Sequence, residues 1–145
     1  MIAVDTNVLV FADREELPRH EDALRVLRGL AEGHEPWALP VFVVGEYLRV
    51  VTHPRLFDPP TPLADALGQI DALLASPTAR LLLPGPHFLP LLDDLLRAAD
   101  GRGNLVFDGQ IAAVCREHGA TLLTEDRDFA RFGVRTCALD DFSVE

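Results

Sequence analysis

The chain has 145 residues, of which 48% are hydrophobic and 25% are charged. This composition is typical of a folded domain with its own core, so it excludes disordered and low-complexity classes and predicts a single domain over residues 1–145. The formal net charge of −10 argues against nucleic-acid binding through overall charge, so any bound nucleic acid would have to meet locally concentrated arginines.

The basic side chains are thirteen arginines, and there is no lysine. This absence excludes P-loop proteins, Schiff-base and pyridoxal enzymes, protein kinases and Ser-x-x-Lys hydrolases, because each needs a lysine. No apolar run reaches the ~20 residues of a membrane span, and the N-terminus lacks the pattern of a secretory signal. We therefore expect no membrane association and a cytoplasmic protein with Cys115 and Cys137 reduced.

Hydrophobic periodicity and turn residues predict strands that alternate with helices. The predicted strands cover residues 2–4, 35–39, 79–83, 120–124 and 134–138. The predicted helices cover residues 20–32, 40–52, 63–75, 86–99, 104–118 and 127–132. Residues 5–7 are predicted as a polar turn, and Asn104 as a helix N-cap.

This alternation indicates an α/β three-layer sandwich, in which helices cover both faces of a parallel sheet. Ligands of such sheets bind at the carboxyl ends of the strands. Asp5 directly follows the first predicted strand, and Asp126 lies two residues beyond the fourth. Both acids are therefore expected at that edge, although each could equally serve as a cap for a turn or a short helix.

Two further acids are predicted on buried helix faces. Glu46 shares the apolar stripe of its helix with Phe42, Val43 and Val50, where a carboxylate needs a cation or an arginine partner. Asp108 lies in a first helical turn, on the face of residues 111, 112 and 115, and a helix N-terminus alone could explain an acid there.

Four acids converging on one edge indicate a bound cation, because close like charges cannot all stay ionised without one. Oxygen ligands favour Mg²⁺ or Mn²⁺, and no spacing of His or Cys typical of a zinc site is present. Carboxylate-held Mg²⁺ typically serves phosphate chemistry.

Four motifs together resemble the PIN-domain nucleases across essentially the whole chain, and most closely the VapC toxins of type II toxin–antitoxin pairs. The motifs are Asp5-Thr6-Asn7-Val8-Leu9-Val10, Glu46 in the 40–52 helix, Asp108-Gly109-Gln110-Ile111-Ala112-Ala113, and Thr124-Glu125-Asp126-Arg127-Asp128-Phe129. Two positions depart from the family pattern, since Gly109 stands where Ala is frequent and Gly45 where a small polar residue is usual.

The resemblance implies a parallel sheet of four to five strands in the order 3-2-1-4-5, Mg²⁺-dependent cleavage of RNA, a homodimer and a VapB-type antitoxin. The family's acidic quartet falls on Asp5, Glu46, Asp108 and Asp126, with Thr124 in support and Asp128 as an additional candidate. We expect Asp5, Asp108 and Asp126 to bind Mg²⁺, which Mn²⁺ could replace, and Glu46 to complete the site directly or through water.

Two rival functions remain open. An aspartyl-phosphate phosphatase also begins with a strand and an Asp, but it needs a second Asp where Asn7 stands, and a lysine. A degenerate PIN fold could bind RNA or a protein without cleaving it.

The contacts with RNA and with an antitoxin are predicted as follows. Arg14, Arg55, Arg102 and Arg127 are candidates for contacting RNA, and the apolar 40–52 and 63–75 helices are candidates for docking an antitoxin or a second copy of the chain.

Overall fold

The computed structural model describes residues 1–142, so residues 143–145 of the predicted domain lie outside the described range. The strands are β1 (Ile2–Val4), β2 (Trp37–Pro40), β3 (Ala79–Leu82), β4 (Thr121–Leu123) and β5 (Thr136–Cys137). The helices are α1 (Thr6–Asp13), α2 (His20–Glu32), α3 (Val41–Val51), α4 (Leu63–Leu74), α5 (Phe88–Ala99) and α6 (Leu105–Glu117). Two short 3₁₀ helices, Arg127–Phe132 and Leu139–Asp141, flank β5.

The strands form one parallel sheet in the order β3-β2-β1-β4-β5, which confirms the order implied by the family resemblance. The central strand β1 pairs with β2 on one side and with β4 on the other, where Val4 lies opposite Leu123. Helices pack around this sheet, so the predicted α/β sandwich is confirmed. Because all strands run in one direction, the segments that follow β1 and β4 meet at the same edge.

Helix α1 corrects the prediction of a simple polar turn at residues 5–7. Val8, Leu9 and Val10 are all buried, and no residue of α1 is fully exposed. A helix that is covered on all sides lacks the alternation of apolar and polar faces by which helices are recognised in a sequence. The structural consequence is that Asp5 connects a strand directly to a helix.

Helix α6 departs from its predicted start in one detail. Asn104 occupies the N-cap position, but its side chain makes no capping hydrogen bond. A Cβ atom on Gly109 would lie 2.8 Å from Leu96 Cδ2, so the glycine allows α5 and α6 to approach closely. This contact explains why a glycine suits a position where the family frequently has alanine.

The core combines the three central strands with the inner faces of the helices, and Trp37 and Cys115 are both completely buried in it. Both cysteines are free, as expected for reduced thiols. Within residues 1–142, no helix combines the length and the apolar character that a membrane span requires.

Candidate active site

Asp5 lies at the carboxyl end of β1 and is also the N-cap of α1. Its backbone amide donates to the Leu123 carbonyl at 3.0 Å, which continues the pairing of β1 with β4. Its Oδ1 accepts a hydrogen bond from the Thr6 amide at 2.7 Å, and the residue is only 3% exposed. The cap uses only one of the two carboxylate oxygens. The same side chain can therefore serve both as an N-cap and as a candidate catalytic acid.

The second oxygen of Asp5 is held from across the sheet. Asp5 Oδ2 accepts from the Thr124 hydroxyl at 2.6 Å and from Asn7 Nδ2 at 3.3 Å. Asn7 Nδ2 also donates to Thr124 Oγ1 at 3.1 Å, and Asn7 Oδ1 accepts from the Glu125 amide at 3.3 Å. Asn7 therefore joins α1 to the segment after β4.

Sequence reasoning missed this function of Asn7, because it assigned the residue to a turn. The only signal in the sequence was a polar amide two positions after a candidate catalytic acid. Its partner Thr124 is 117 positions away, so no local pattern could reveal the contact.

Asp126 is positioned by the same threonine. The Asp126 amide donates to Thr124 Oγ1 at 3.0 Å, and Asp126 Oδ1 accepts from the Asp128 amide at 2.9 Å as the N-cap of the 3₁₀ helix. Thr124 thus donates to one predicted acid and accepts from the backbone of another. These hydrogen bonds fix the position of Asp5, which follows β1, relative to Asp126, which follows β4.

Glu46 and Asp108 line one cleft between α3 and α6, and both side chains are half-buried. Glu46 projects from the middle of α3, and Asp108 from the first turn of α6. Within residues 1–142, Glu46 forms no ion pair with an arginine, so that structural explanation of its position is not supported. The N-terminal position of Asp108 agrees with the favourable effect of a helix dipole.

The pKa values of two acids show that the carboxylates share one electrostatic environment. Burial raises the pKa of Asp5 to about 7, hydrogen bonds from Thr124 and Thr6 act in the opposite direction, and the charges of Glu46 and Asp108 raise it further. Burial also raises the pKa of Asp108 to about 6, with further increases from the charges of Asp126, Glu46 and Asp128. The four predicted acids are therefore electrostatically linked, since Glu46 and Asp108 act on Asp5, and Glu46, Asp126 and Asp128 act on Asp108.

The donor chemistry of this site fits a divalent cation. In the described part of the chain, no three His, Cys, Asp or Glu side chains stand close enough to form a ready-made metal cluster. The available donors are nevertheless all carboxylate oxygens, and they repel one another in a partly buried site. A hard cation such as Mg²⁺ or Mn²⁺ would relieve that repulsion.

The arginines predicted to contact RNA occupy different environments. Arg14 is 13% exposed, pairs with Glu16 at 2.7 Å, donates to Thr61 at 3.1 Å and lies 4.5 Å from the Phe57 ring centroid. Arg14 is therefore a structural residue that fixes the proline-rich segment, which corrects its assignment to the RNA surface.

The other candidate arginines lie at the surface. Arg102 is exposed and pairs with Asp100 at 2.9 Å, while Arg55 and Arg127 are exposed. Arg131, which sequence reasoning did not select, lies near enough to Asp108 to lower the pKa of that acid, and it pairs with Asp128 at 3.5 Å. Arg131 therefore interacts electrostatically with two acids of the candidate site, Asp108 and Asp128.

Known proteins resemble this chain over nearly its full length. The PIN domain profile matches residues 2–134. The chain is 43% identical over 132 residues to a VapC ribonuclease of Mycobacterium bovis, which covers 91% of this chain and 90% of that protein.

Solved structures share the fold. VapBC2 from Rickettsia felis, bound to a promoter DNA fragment, has a TM-score of 0.70 at 19% identity over 95% of this chain and 98% of that one. VapC20 from Mycobacterium tuberculosis, a toxin that cleaves the sarcin–ricin loop, has a TM-score of 0.68 at 20% identity over 92% and 96% of the two chains. On the sequence matches and the shared sheet order, the chain belongs to the PIN-domain family, within its VapC ribonuclease branch.

Proposed function

We propose that this chain is a Mg²⁺-dependent endoribonuclease and the toxin of a toxin–antitoxin pair, acting on cellular RNA (tRNA, rRNA or mRNA) in the cytoplasm. The observation that carries the proposal is the acidic group near the carboxyl edge of the sheet, in which Glu46 and Asp108 line one cleft and their charges act on Asp5. Support also comes from the ribonuclease activity in the name of the Mycobacterium bovis relative and from the RNA-cleaving toxin with the same fold.

In this proposal, Asp5, Asp108 and Asp126 hold the cation, and Glu46 completes its surroundings directly or through a water molecule. When bound, Mg²⁺ supplies the positive charge that makes water a nucleophile and stabilises the departing oxyanion. The protein's own contribution is positioning. Thr124 and Asn7 orient Asp5 Oδ2, while the Thr6 amide occupies Oδ1.

The substrate phosphate must approach a negatively charged site, so cationic side chains are needed beside the acids. The charge of Arg131 acts on Asp108, and Arg127 lies exposed in the same 3₁₀ helix. We propose that these two arginines contact phosphates on either side of the bond that is cleaved.

A VapB-type antitoxin is the proposed partner, in line with the VapBC2 complex that shares the fold. The predicted docking surface needs a revision, because Val43, Tyr47 and Val51 of α3 are buried in the core. Helix α4 does present apolar residues, since Leu63 is 59% and Leu67 is 44% exposed. We propose that the antitoxin packs on α4.

A homodimer is the second proposed assembly. Leu81 and Leu83 lie at the edge strand β3 and just after it, and Leu89 near the start of α5 is 70% exposed. We propose that a second copy of the chain covers these exposed leucines.

The proposal is tested with purified protein, labelled RNA and either Mg²⁺ or a chelator. We expect cleavage with Mg²⁺ or Mn²⁺ and none with the chelator. Binding of RNA without cleavage under all these conditions would instead support the alternative, a degenerate PIN fold that serves as a non-catalytic binding module. Sequencing of 5′ ends after expression in cells would identify the RNA that is cut.

A further inference from the structure

The cleft between α3 and α6 extends well beyond the two acids that line it. One face of each helix forms its walls, with Gly45 and Arg49 on α3, Phe107 on α6, and Asn104 just before α6. Its volume is about 780 Å³, within the range of small-ligand sites and larger than a metal ion and a water molecule require. The cleft therefore has room for part of a substrate.

Phe107 gives this cleft a flat apolar surface. It immediately precedes Asp108 and is 58% exposed, so its ring is not part of the core. A single exposed phenylalanine is unremarkable on a protein surface, but this one lines the same cleft as Glu46 and Asp108. Aromatic rings in such positions offer a stacking surface for an unpaired base.

The polar residues of the cleft complement a nucleotide. Arg49 is exposed and, within residues 1–142, forms no ion pair. The amide side chains of Asn104 and Gln110 carry both donors and acceptors, which suit the edge of a base. The Asn104 side chain is not used to cap α6.

We propose that this cleft binds one unstacked base of single-stranded RNA beside the phosphate that is cleaved. Phe107 stacks on the base, Asn104 and Gln110 contact its edge, and Arg49 contacts a neighbouring phosphate. The inference rests on the proposed ribonuclease function, which it deepens by assigning a base-binding subsite to a particular cleft.

The first experiment measures stacking directly. A short single-stranded oligoribonucleotide with one 2-aminopurine is titrated with protein that carries Asp5→Asn, so that the RNA stays intact, and the position of the analogue is varied. We expect binding to quench the fluorescence at one position. Phe107→Ala should abolish this quenching and weaken binding roughly tenfold or more, whereas Phe107→Tyr should retain both.

The matched control is Leu56→Ala, which removes an exposed apolar side chain outside the cleft. It should leave the quenching and the RNA affinity unchanged. Phe107→Leu keeps apolar area without an aromatic ring, so it should behave like Phe107→Ala. Full binding by Phe107→Leu would overturn the stacking assignment.

The second experiment blocks the cleft without touching Phe107. A Cβ atom on Gly45 or on Gly68 would meet no atom within 4 Å, and both glycines are exposed helix residues. Only Gly45 lines the cleft, whereas Gly68 lies on α4. We expect Gly45→Leu to weaken RNA binding and Gly68→Leu to leave it unchanged, and equal behaviour of the two variants would overturn the proposal.

Two further measurements separate this site from a protein interface and from the enzymatic proposal. If Phe107→Ala leaves RNA affinity intact but changes the sedimentation of the protein or releases its antitoxin, the residue belongs to a protein contact and the inference is wrong. If the unmutated chain cleaves RNA and Phe107→Ala binds and cleaves equally well, the inference fails while the ribonuclease proposal stands. If quenching depends on Phe107 but no RNA is ever cleaved, the base site stands and the ribonuclease proposal fails.

Discussion

Thr124 and Asp5 are linked across the two central strands by a 2.6 Å hydrogen bond from the threonine hydroxyl to Asp5 Oδ2. The same hydroxyl oxygen accepts from the Asp126 amide at 3.0 Å. One side chain thus fixes two predicted metal ligands that follow different strands. The orientation of these acids depends on a residue that need not touch the metal itself.

Thr124→Val tests this dependence, because valine keeps the shape and removes the hydrogen bonds. We expect RNA cleavage to fall about 10- to 100-fold, the usual effect of losing a group that orients metal ligands. The measurement is the cleavage rate as a function of Mg²⁺ concentration. Thr121→Val is the control, because Thr121 begins β4 three residues earlier and its side chain therefore points to the opposite face of the strand. This variant should cleave normally, and equal rates for both variants would contradict the prediction.

Asp5→Asn separates charge from structure. Asparagine is as good an N-cap as aspartate, so α1 should remain capped while the carboxylate is lost. We expect no detectable cleavage with Mg²⁺ and an unchanged circular dichroism spectrum. Asp71→Asn changes an exposed acid on α4 and should retain activity. Wild-type cleavage by Asp5→Asn would show that Asp5 is not a metal ligand.

The raised pKa values predict how the stability of metal-free protein depends on pH. Asp5 and Asp108 have pKa values of about 7 and about 6 in the folded chain, against 3.8 for an ordinary aspartate. Folding therefore favours their protonated forms, and the stabilisation is complete below pH 3.8 and lost as the pH rises through 6 to 7. With a chelator present, we expect the free energy of unfolding to fall over this interval.

The measurement is urea denaturation at several pH values, with Asp5→Asn as the reference for all other titrating groups. The unmutated chain should lose stability relative to this variant as the pH rises from 4 towards 7. Mg²⁺ at neutral pH should restore it, because a bound cation stabilises the folded state by mass action. If the free energy of unfolding depends on pH in the same way for both proteins and does not respond to Mg²⁺, the result would count against a shared acidic site.

Arg14 is expected to matter for stability rather than for RNA binding. Its guanidinium contacts Glu16, Thr61 and the Phe57 ring, and it is largely shielded from solvent. Arg14→Ala should lower the free energy of unfolding by about 1–3 kcal/mol, whereas Arg28→Ala on the exposed side of α2 should change it little. The salt dependence of RNA binding should be the same in both variants, and a reduced salt slope for Arg14→Ala alone would restore its assignment as a phosphate contact.

The proposed interfaces can be distinguished by placing a charge on each. Leu67→Glu on α4 should prevent co-purification with the antitoxin, which is encoded by the adjacent small open reading frame in this proposal, and should leave the dimer intact. Leu89→Glu on α5 should instead yield a monomer that still binds the antitoxin. Sedimentation and co-purification measure the two outcomes, and the reverse pattern would exchange the assignments of the two surfaces.

Local sequence patterns were sufficient for most of the fold, because most helices are amphipathic and most strands are short apolar runs between turn residues. Helix α2 shows this well, with Ala23, Val26, Leu27 and Leu30 buried on one face of residues 20–32. Helix α1 shows the limit, because burial on all sides removes the periodic signal. The final strand, predicted over 134–138, is reduced to Thr136–Cys137, since only these residues pair with β4.

The acids could be predicted because each follows a strand or lies on an apolar helix face, which are local properties. The side chains that orient these acids could not be predicted from local patterns. Asn7 and Thr124 are ordinary polar residues in the sequence, and their significance depends on the pairing of β1 with β4. The prediction that Arg14 contacts RNA was wrong for a related reason. Arg14 is close to Asp5 along the chain, but its side chain contacts Thr61 and Phe57 instead.

The pairing of β1 with β4 also determines when the site can form during synthesis. Asp5 is synthesised before β4, so β1 lacks a partner on one side until residues 121–123 have followed. Until then Asp5 has no contact with Thr124, and Asp126 does not yet exist. Under the proposed function, we therefore expect a chain that ends before residue 121 to be inactive towards RNA.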